Sequence, residues 1–181
     1  MDKLKQKWLG FVEKNPKLAK WIREGGLFFL VSNLITIIRG LLISLLEPIF
    51  AFLGEGAIGF PGIEVELFGA QFTWYVIGAD SKSKFAAFFI ALWVCEIINF
   101  FLQRKYVFLS KGNVCRQFLL YFLIFAFITC IVNSLDSIWR GVGMAYSVPE
   151  LILSLGTTFL TGGVAMVVFF FANRFIFKDT E

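Results

Sequence analysis

Four stretches of the chain are apolar over about the thickness of a membrane, and nearly all charge falls between them. They are 26–46 (GLFFLVSNLITIIRGLLISLL), 85–103 (FAAFFIALWVCEIINFFLQ), 117–135 (QFLLYFLIFAFITCIVNSL) and 149–172 (PELILSLGTTFLTGGVAMVVFFFA). Each is close to the ~20 residues that span ~30 Å of hydrocarbon. Pro149 stands at a helix start, where its missing N–H is harmless. Ahead of them, Leu4, Trp8 and Phe11, then Leu18, Trp21 and Ile22, recur at helical spacing around a break at Asn15-Pro16. Residues 1–25 therefore read as a basic amphipathic segment lying in the membrane interface. The outer loop 47–84 follows a different period: IEVELF (63–68) and QFTWYV (71–76) alternate around Gly69-Ala70, as in a hairpin, and Phe60-Pro61-Gly62 marks a turn. The pattern predicts an all-α membrane protein with four transmembrane helices in residues 26–181.

Composition agrees. Of 181 residues, 58% are hydrophobic and 24 are Phe; mean hydropathy is +0.77. Soluble proteins hold roughly 45–50% apolar residues. The first apolar stretch follows a long charged segment with no small-residue cleavage site, so it is expected to stay as a spanning helix. Thirteen of the 17 Lys and Arg flank one side of the predicted bundle: Lys3, Lys5, Lys7, Lys14, Lys17, Lys20 and Arg23, then Arg104, Lys105, Lys111 and Arg116, then Arg174 and Lys178. The other side has Lys82, Lys84 and Arg140, and Arg39 lies within a span. The positive-inside rule then places both termini in the cytoplasm.

Chemistry is narrowed by what is missing. There is no His, which removes the usual base of Ser and Cys hydrolases and the commonest metal ligand. Cys95, Cys115 and Cys130 form no CxxC pair. No GxxxxGK[ST] loop is present to bind ATP. No catalytic residue, metal or cofactor is expected, and the chain does not read as an enzyme.

Ionisable and amide groups inside spans are functional candidates by default. Glu96, Asn99 and Gln103 follow i, i+3, i+7 and form one stripe running down to Arg104 and Lys105. In the first span Ser32, Thr36 and Arg39 share a face, with Asn33 beside it. At 1.5 Å per residue, Arg39 lies ~10 Å and Glu96 ~16 Å from the outer end, within reach of an ion pair. That pair either fixes helix packing or serves a passing anion. The third span offers Thr129, Asn133, Asp136 and Arg140 on one stripe, and the fourth offers Ser154, Thr158 and Thr161.

Two spans end alike. NFFLQRKYVF (99–108) and FFFANRFIFK (169–178) share an ending, Tyr106-Val107-Phe108 falling on Phe175-Ile176-Phe177 at an offset of 69 residues. The chain thus reads as two parallel two-helix repeats. Basic and aromatic residues at a span end anchor it at headgroup depth. Aligned from its end, the second motif puts Val168 opposite Asn99; aligned on Asn173-Arg174, it is one residue short.

NFFLQRKYVF resembles the N-F-x-x-N-R-x-W-V-F signature of the GtrA-like family, with Gln103 where Asn is usual and Tyr106 where Trp is usual. FFLVSNLITIIRGLL (28–42) resembles that family's first helix, although Arg39 replaces an acidic or neutral polar residue. The third span and NRFIF resemble its third helix and closing motif. The resemblance implies translocation of polyprenyl-phosphate-linked sugars across a bacterial inner membrane, for cell-surface polysaccharide synthesis. It implies phosphate binding at Arg104, Lys105, Arg174 and Arg39. A polar path would pass Glu96, Asn99, Gln103, Asn33, Thr36, Asn133 and Asp136. The expected partners are the sugar lipid, a membrane-bound glycosyltransferase and further copies of the chain, with no nucleic acid. Two other readings fit the residues: a non-transporting subunit that recruits a glycosyltransferase, and a small proton-coupled multidrug transporter using Glu96.

Overall fold

The computed structural model describes residues 2–177. Lys178, counted among the tail's cations, lies outside the described residues, as do the side chains of residues 2–5, 7, 8, 57, 79 and 80; the interfacial face assigned to Leu4 and Trp8 is therefore not described. Helix α1 (Asp2–Lys14) ends at Asn15, and Pro16 opens α2 (Pro16–Ile49) from a first-turn position. The expected boundary near residue 25 is no break: Gly25 and Gly26 sit inside α2, which runs from the basic segment through the first span. A turn at Ala51–Leu53 leads to strands β1 (Glu55–Leu67) and β2 (Ala70–Ser81). Then follow α3 (Lys82–Val107), α4 (Val114–Ala145) and α5 (Glu150–Ile176). Helices α2 to α5 are each long and apolar enough to cross a membrane, as in a multi-pass membrane protein.

The all-α expectation holds for the spans and not for the outer loop. There the period-two alternation becomes a two-stranded antiparallel hairpin, with Leu67 paired to Ala70 at the tip and Glu55 to Ser81 at the base. Gly69 takes a left-handed φ of 75° at that tip, which glycine adopts without strain. The hairpin rests on α4, which runs ten residues further at its C-terminal end than the sequence pattern suggests. The Tyr75 N–H donates to Ser137 Oγ at 2.9 Å and Tyr146 Oη donates to the Phe68 carbonyl at 2.6 Å. Phe72 lies flat against Gly141, where any Cβ would strike the ring. Apolar contact and two polar ties thus hold a strand pair that would be marginal alone.

Helix α2 packs by a thin stripe, Ala19, Glu24, Phe28 and Ile35, and leaves Leu30, Leu34, Ile37, Leu41 and Leu45 exposed. Helix α3 is the most enclosed. Ala87, Ala91 and Cys95 are completely buried, and their small size lets neighbouring helices approach closely. Helix α4 buries Gln117, Tyr121, Phe125, Ile128 and Val132 at helical spacing. These faces meet in an aromatic core of Leu92, Phe100, Tyr121, Phe125, Ile176 and Phe177, near the end of the bundle that carries the basic links. We call the two ends of the bundle the basic end and the hairpin end.

Candidate functional site

A connected polar track runs through this core. Arg39 on α2 pairs with Glu96 Oε1 on α3. Glu96 Oε2 accepts from Tyr121 Oη at 2.7 Å and from Asn99 Nδ2 at 3.2 Å. Asn99 Nδ2 also reaches Tyr121 Oη at 3.0 Å, and its Oδ1 accepts from Gln103 Nε2 at 2.8 Å. Gln103 Oε1 accepts from Asn173 Nδ2 on α5 at 2.7 Å. Four helices therefore contribute to one chain of hydrogen bonds, and Gln103 and Asn173 are each only 1% exposed. Burial of these groups is tolerable because each has a partner; an unpaired amide or carboxylate here would be costly.

The stripe Glu96, Asn99 and Gln103 is the one that helical spacing foretold, and the Arg39–Glu96 pair forms as their depths suggested. Arg39 is not sealed in. Its side chain is 25% exposed, against 7% for Glu96, and its Nε is buried without a partner. Glu96 is bound on both carboxylate oxygens.

At the basic end the cations are engaged by the protein. Arg104 donates from Nε to Gln117 Oε1 at 2.9 Å and from Nη2 to the Gly112 carbonyl at 2.8 Å. Arg174 donates to Glu24 Oε2 at 2.9 Å and lies 3.6 Å from the centre of the Trp21 ring. Arg23 reaches the Tyr106 and Val107 carbonyls, two of the acceptors left open where a helix ends. Lys105 is exposed, with Nζ 5.2 Å from the Tyr106 ring centre. Residues Gln103–Val107 form a π-turn, in which the Phe108 N–H bonds the Gln103 carbonyl at 2.9 Å.

Other candidates stand apart from the track. Asn33 and Thr36 are exposed on α2 and bond their own helix, Nδ2 to the Phe29 carbonyl and Oγ1 to the Ser32 carbonyl. Asn133 is half-buried on α4. Asp136 lies at the hairpin end, with Oδ2 3.7 Å from Arg140 Nε and Oδ1 buried without a hydrogen-bond partner.

Three participants were not singled out from the sequence. Tyr121 looked like one aromatic among many; its place one helical turn from Gln117, on the buried face of α4, is the signal that distinguishes it. Asn173 belonged to the repeated motif without a role. Glu24, in the basic segment, is 3% exposed and anchors Arg174. Compared with models of known protein families, with curated proteins and with solved structures, the chain gives no match.

Proposed function

We propose that this protein carries a polyprenyl-phosphate-linked sugar across a bacterial inner membrane, with its basic end in the cytoplasm. The observation that carries the reading is the Arg39–Glu96 pair. A guanidinium sits within the span, still partly open, on a helix that also exposes Leu30, Leu34, Ile37, Leu41 and Leu45. In transit the lipid phosphate takes the place of one Glu96 oxygen on Arg39. Glu96 neutralises Arg39 when the site is empty, and Tyr121 and Asn99 keep that carboxylate solvated throughout. The polar path continues through Gln103 and Asn173 toward Lys105, an exposed cation that meets the headgroup at the basic end. The resemblance to the GtrA-like family points the same way.

The architecture we infer with it is two parallel copies of a two-helix unit, α2–α3 and α4–α5. Buried residues Glu24, Phe28 and Ile35 of α2 match Gln117, Tyr121 and Ile128 of α4 at a constant spacing of 93 residues. Phe100, Gln103 and Arg104 of α3 match Phe170, Asn173 and Arg174 of α5 at 70. Their contacts recur in pairs. Phe28 meets Phe170 edge-on at 5.4 Å, and Tyr121 meets Phe100 edge-on at 5.3 Å. Arg174 bonds Glu24, and Arg104 bonds Gln117, each at 2.9 Å. Residues near a two-fold axis should touch their own equivalents. Gln103 touches Asn173, and Phe108 stacks on Phe177 at 5.3 Å. The π-turn at Gln103–Val107 holds one extra residue, so the spacing falls from 70 before it to 69 after it. That accounts for the two competing alignments of the repeated motif.

A homo-oligomer fits the outward face of α2, where Asn33, Thr36 and Gly40 are exposed. One observation favours a second reading, a non-transporting subunit that recruits a glycosyltransferase: Arg104 and Arg174 are both held by protein acceptors. The test is movement of a polyprenyl-phosphate hexose across liposomes holding only this protein, wild type beside Arg104→Ala/Lys105→Ala. The proposal expects movement in wild type and a loss of at least tenfold in the double variant. Copurification of a glycosyltransferase, with no movement by folded wild type, would establish the recruiting role instead.

A further inference from the structure

We propose that the hairpin end holds a binding site for a pyranose headgroup, between β2 and the outer turns of α4 and α5; the proposal rests on the sugar-lipid reading above. Phe72 against Gly141 and the Tyr75 N–H on Ser137 Oγ set β2 antiparallel along α4. Strand alternation puts Trp74 on the same side of β2 as Phe72, the side that packs on α4. Trp74 Nε1 and Asp136 Oδ1 are both buried, and neither has a hydrogen-bond partner among the described residues. One is a donor only and the other an acceptor only. They lie on facing elements that the Tyr75–Ser137 bond ties together, so one hydroxyl can accept from the indole and donate to the carboxylate.

The surrounding groups extend this match. Arg140 lies one turn beyond Asp136, 3.7 Å from its Oδ2. Its Nε donates to Thr157 Oγ1 at 3.0 Å, and Nη1 stands 3.9 Å from Glu150 Oε1 on α5. Carboxylate, guanidinium, hydroxyl and indole converge on one end of the bundle. A pyranose offers neighbouring hydroxyls that both donate and accept, above an apolar ring face that suits an aromatic side chain. A phosphate would instead be repelled by Asp136 and Glu150. The site therefore takes the sugar and leaves the phosphate to the track. It would receive the headgroup as the lipid arrives at the hairpin end.

The test uses purified full-length protein in lipid nanodiscs and reads tryptophan fluorescence. The probes are methyl and octyl β-glucosides, β-galactosides and α-mannosides, with octyl tri(ethylene glycol) as the sugar-free control. The expected result is saturable binding of at least one hexoside and none of the control. Trp74→Phe keeps the ring and removes the N–H, and Asp136→Asn keeps the shape and removes the charge. Each should weaken binding at least tenfold, by calorimetry for Trp74→Phe, without moving the unfolding temperature. Binding of methyl and octyl forms alike supports a free-sugar site; binding of octyl forms alone supports a lipid-linked one. No saturable hexoside binding by folded wild type, an equal response to the control, or unchanged affinity in both variants overturns the site. Liposome transport is measured separately. Binding insensitive to these substitutions beside intact transport removes the site and leaves the carrier, whereas binding without transport does the reverse.

Discussion

Helices α3 and α5 end in the same aromatic and basic signature, yet only α3 carries a buried carboxylate and amide stripe above it. Glu96, Asn99 and Gln103 follow one another down α3; seventy residues on, α5 has Met166, Phe169 and Asn173. In the two-copy arrangement proposed above, their neighbours differ in the same sense. Tyr121 on α4 faces the polar stripe, and its counterpart on α2 is Phe28, which faces Phe170. Arg39 on α2 pairs with Glu96, and its counterpart on α4 is Val132, which packs with Ala165. Only the lowest rung, Gln103 on Asn173, is shared. The difference teaches that aromatic contacts, the basic-end bonds and the Gln103–Asn173 rung are what the two proposed hairpins have in common. The charged rungs are an addition to one of them, so packing alone does not explain their presence.

The largest effect is expected from breaking the ion pair on one side. Arg39→Leu or Glu96→Leu alone leaves a buried charge and should destabilise the protein by about 3–5 kcal/mol. Arg39→Leu/Glu96→Leu together should recover most of that loss, giving α3 the apolar character of α5. Thermal unfolding in detergent measures all three. If the double variant is no more stable than the worse single, the pair is more than a compensated charge.

Smaller effects come from the neutral rungs. Tyr121→Phe makes α4 like α2 at this level and removes a hydrogen bond to a charged group, a loss of about 1.5–3 kcal/mol. Asn173→Leu strands the Gln103 carbonyl oxygen, and Gln103→Leu strands groups on both Asn99 and Asn173, at about 1–3 kcal/mol for each lost partner. Because they share a bond, the double variant should cost less than the sum. Strict additivity in a double-mutant cycle would contradict the contact. Lys105→Ala, exposed at the basic end, should change stability by less than about 0.5 kcal/mol while slowing transport several-fold.

Much of this was legible in the chain because the membrane forces local regularity. A span must satisfy its backbone internally, so apolar runs of fixed length locate the helices. Arg39 and Glu96 could be matched by depth alone, since helix rise converts sequence position into height. What escaped depends on rotation and crossing. Tyr121 joins the track only because α4 turns that face toward Glu96, and Gln103 meets Asn173 only where α3 crosses α5. Asn33 and Thr36 stand apart from that track and bond within their own helix. A polar side chain can bond the carbonyl one turn back in its own helix, so its presence in a span does not require a polar partner elsewhere. The hairpin was visible in its alternation, but its seat on Gly141 was not, since nothing local says which helix a strand will cover. Gly141→Ala should unseat Phe72 at a cost of about 1–3 kcal/mol and expose the hairpin to limited proteolysis.

The central claim is that the charged rungs of α3 serve passage of a phosphate and are not needed to hold the fold. It is tested most directly by the rate of transbilayer movement of a polyprenyl-phosphate hexose in liposomes containing the Arg39→Leu/Glu96→Leu variant. The account predicts a folded protein, less stable than wild type by no more than the lost Tyr121 and Asn99 bonds to Glu96, and movement reduced at least a hundredfold. A folded variant that moves the lipid at the wild-type rate would contradict it and make the pair an element of packing alone.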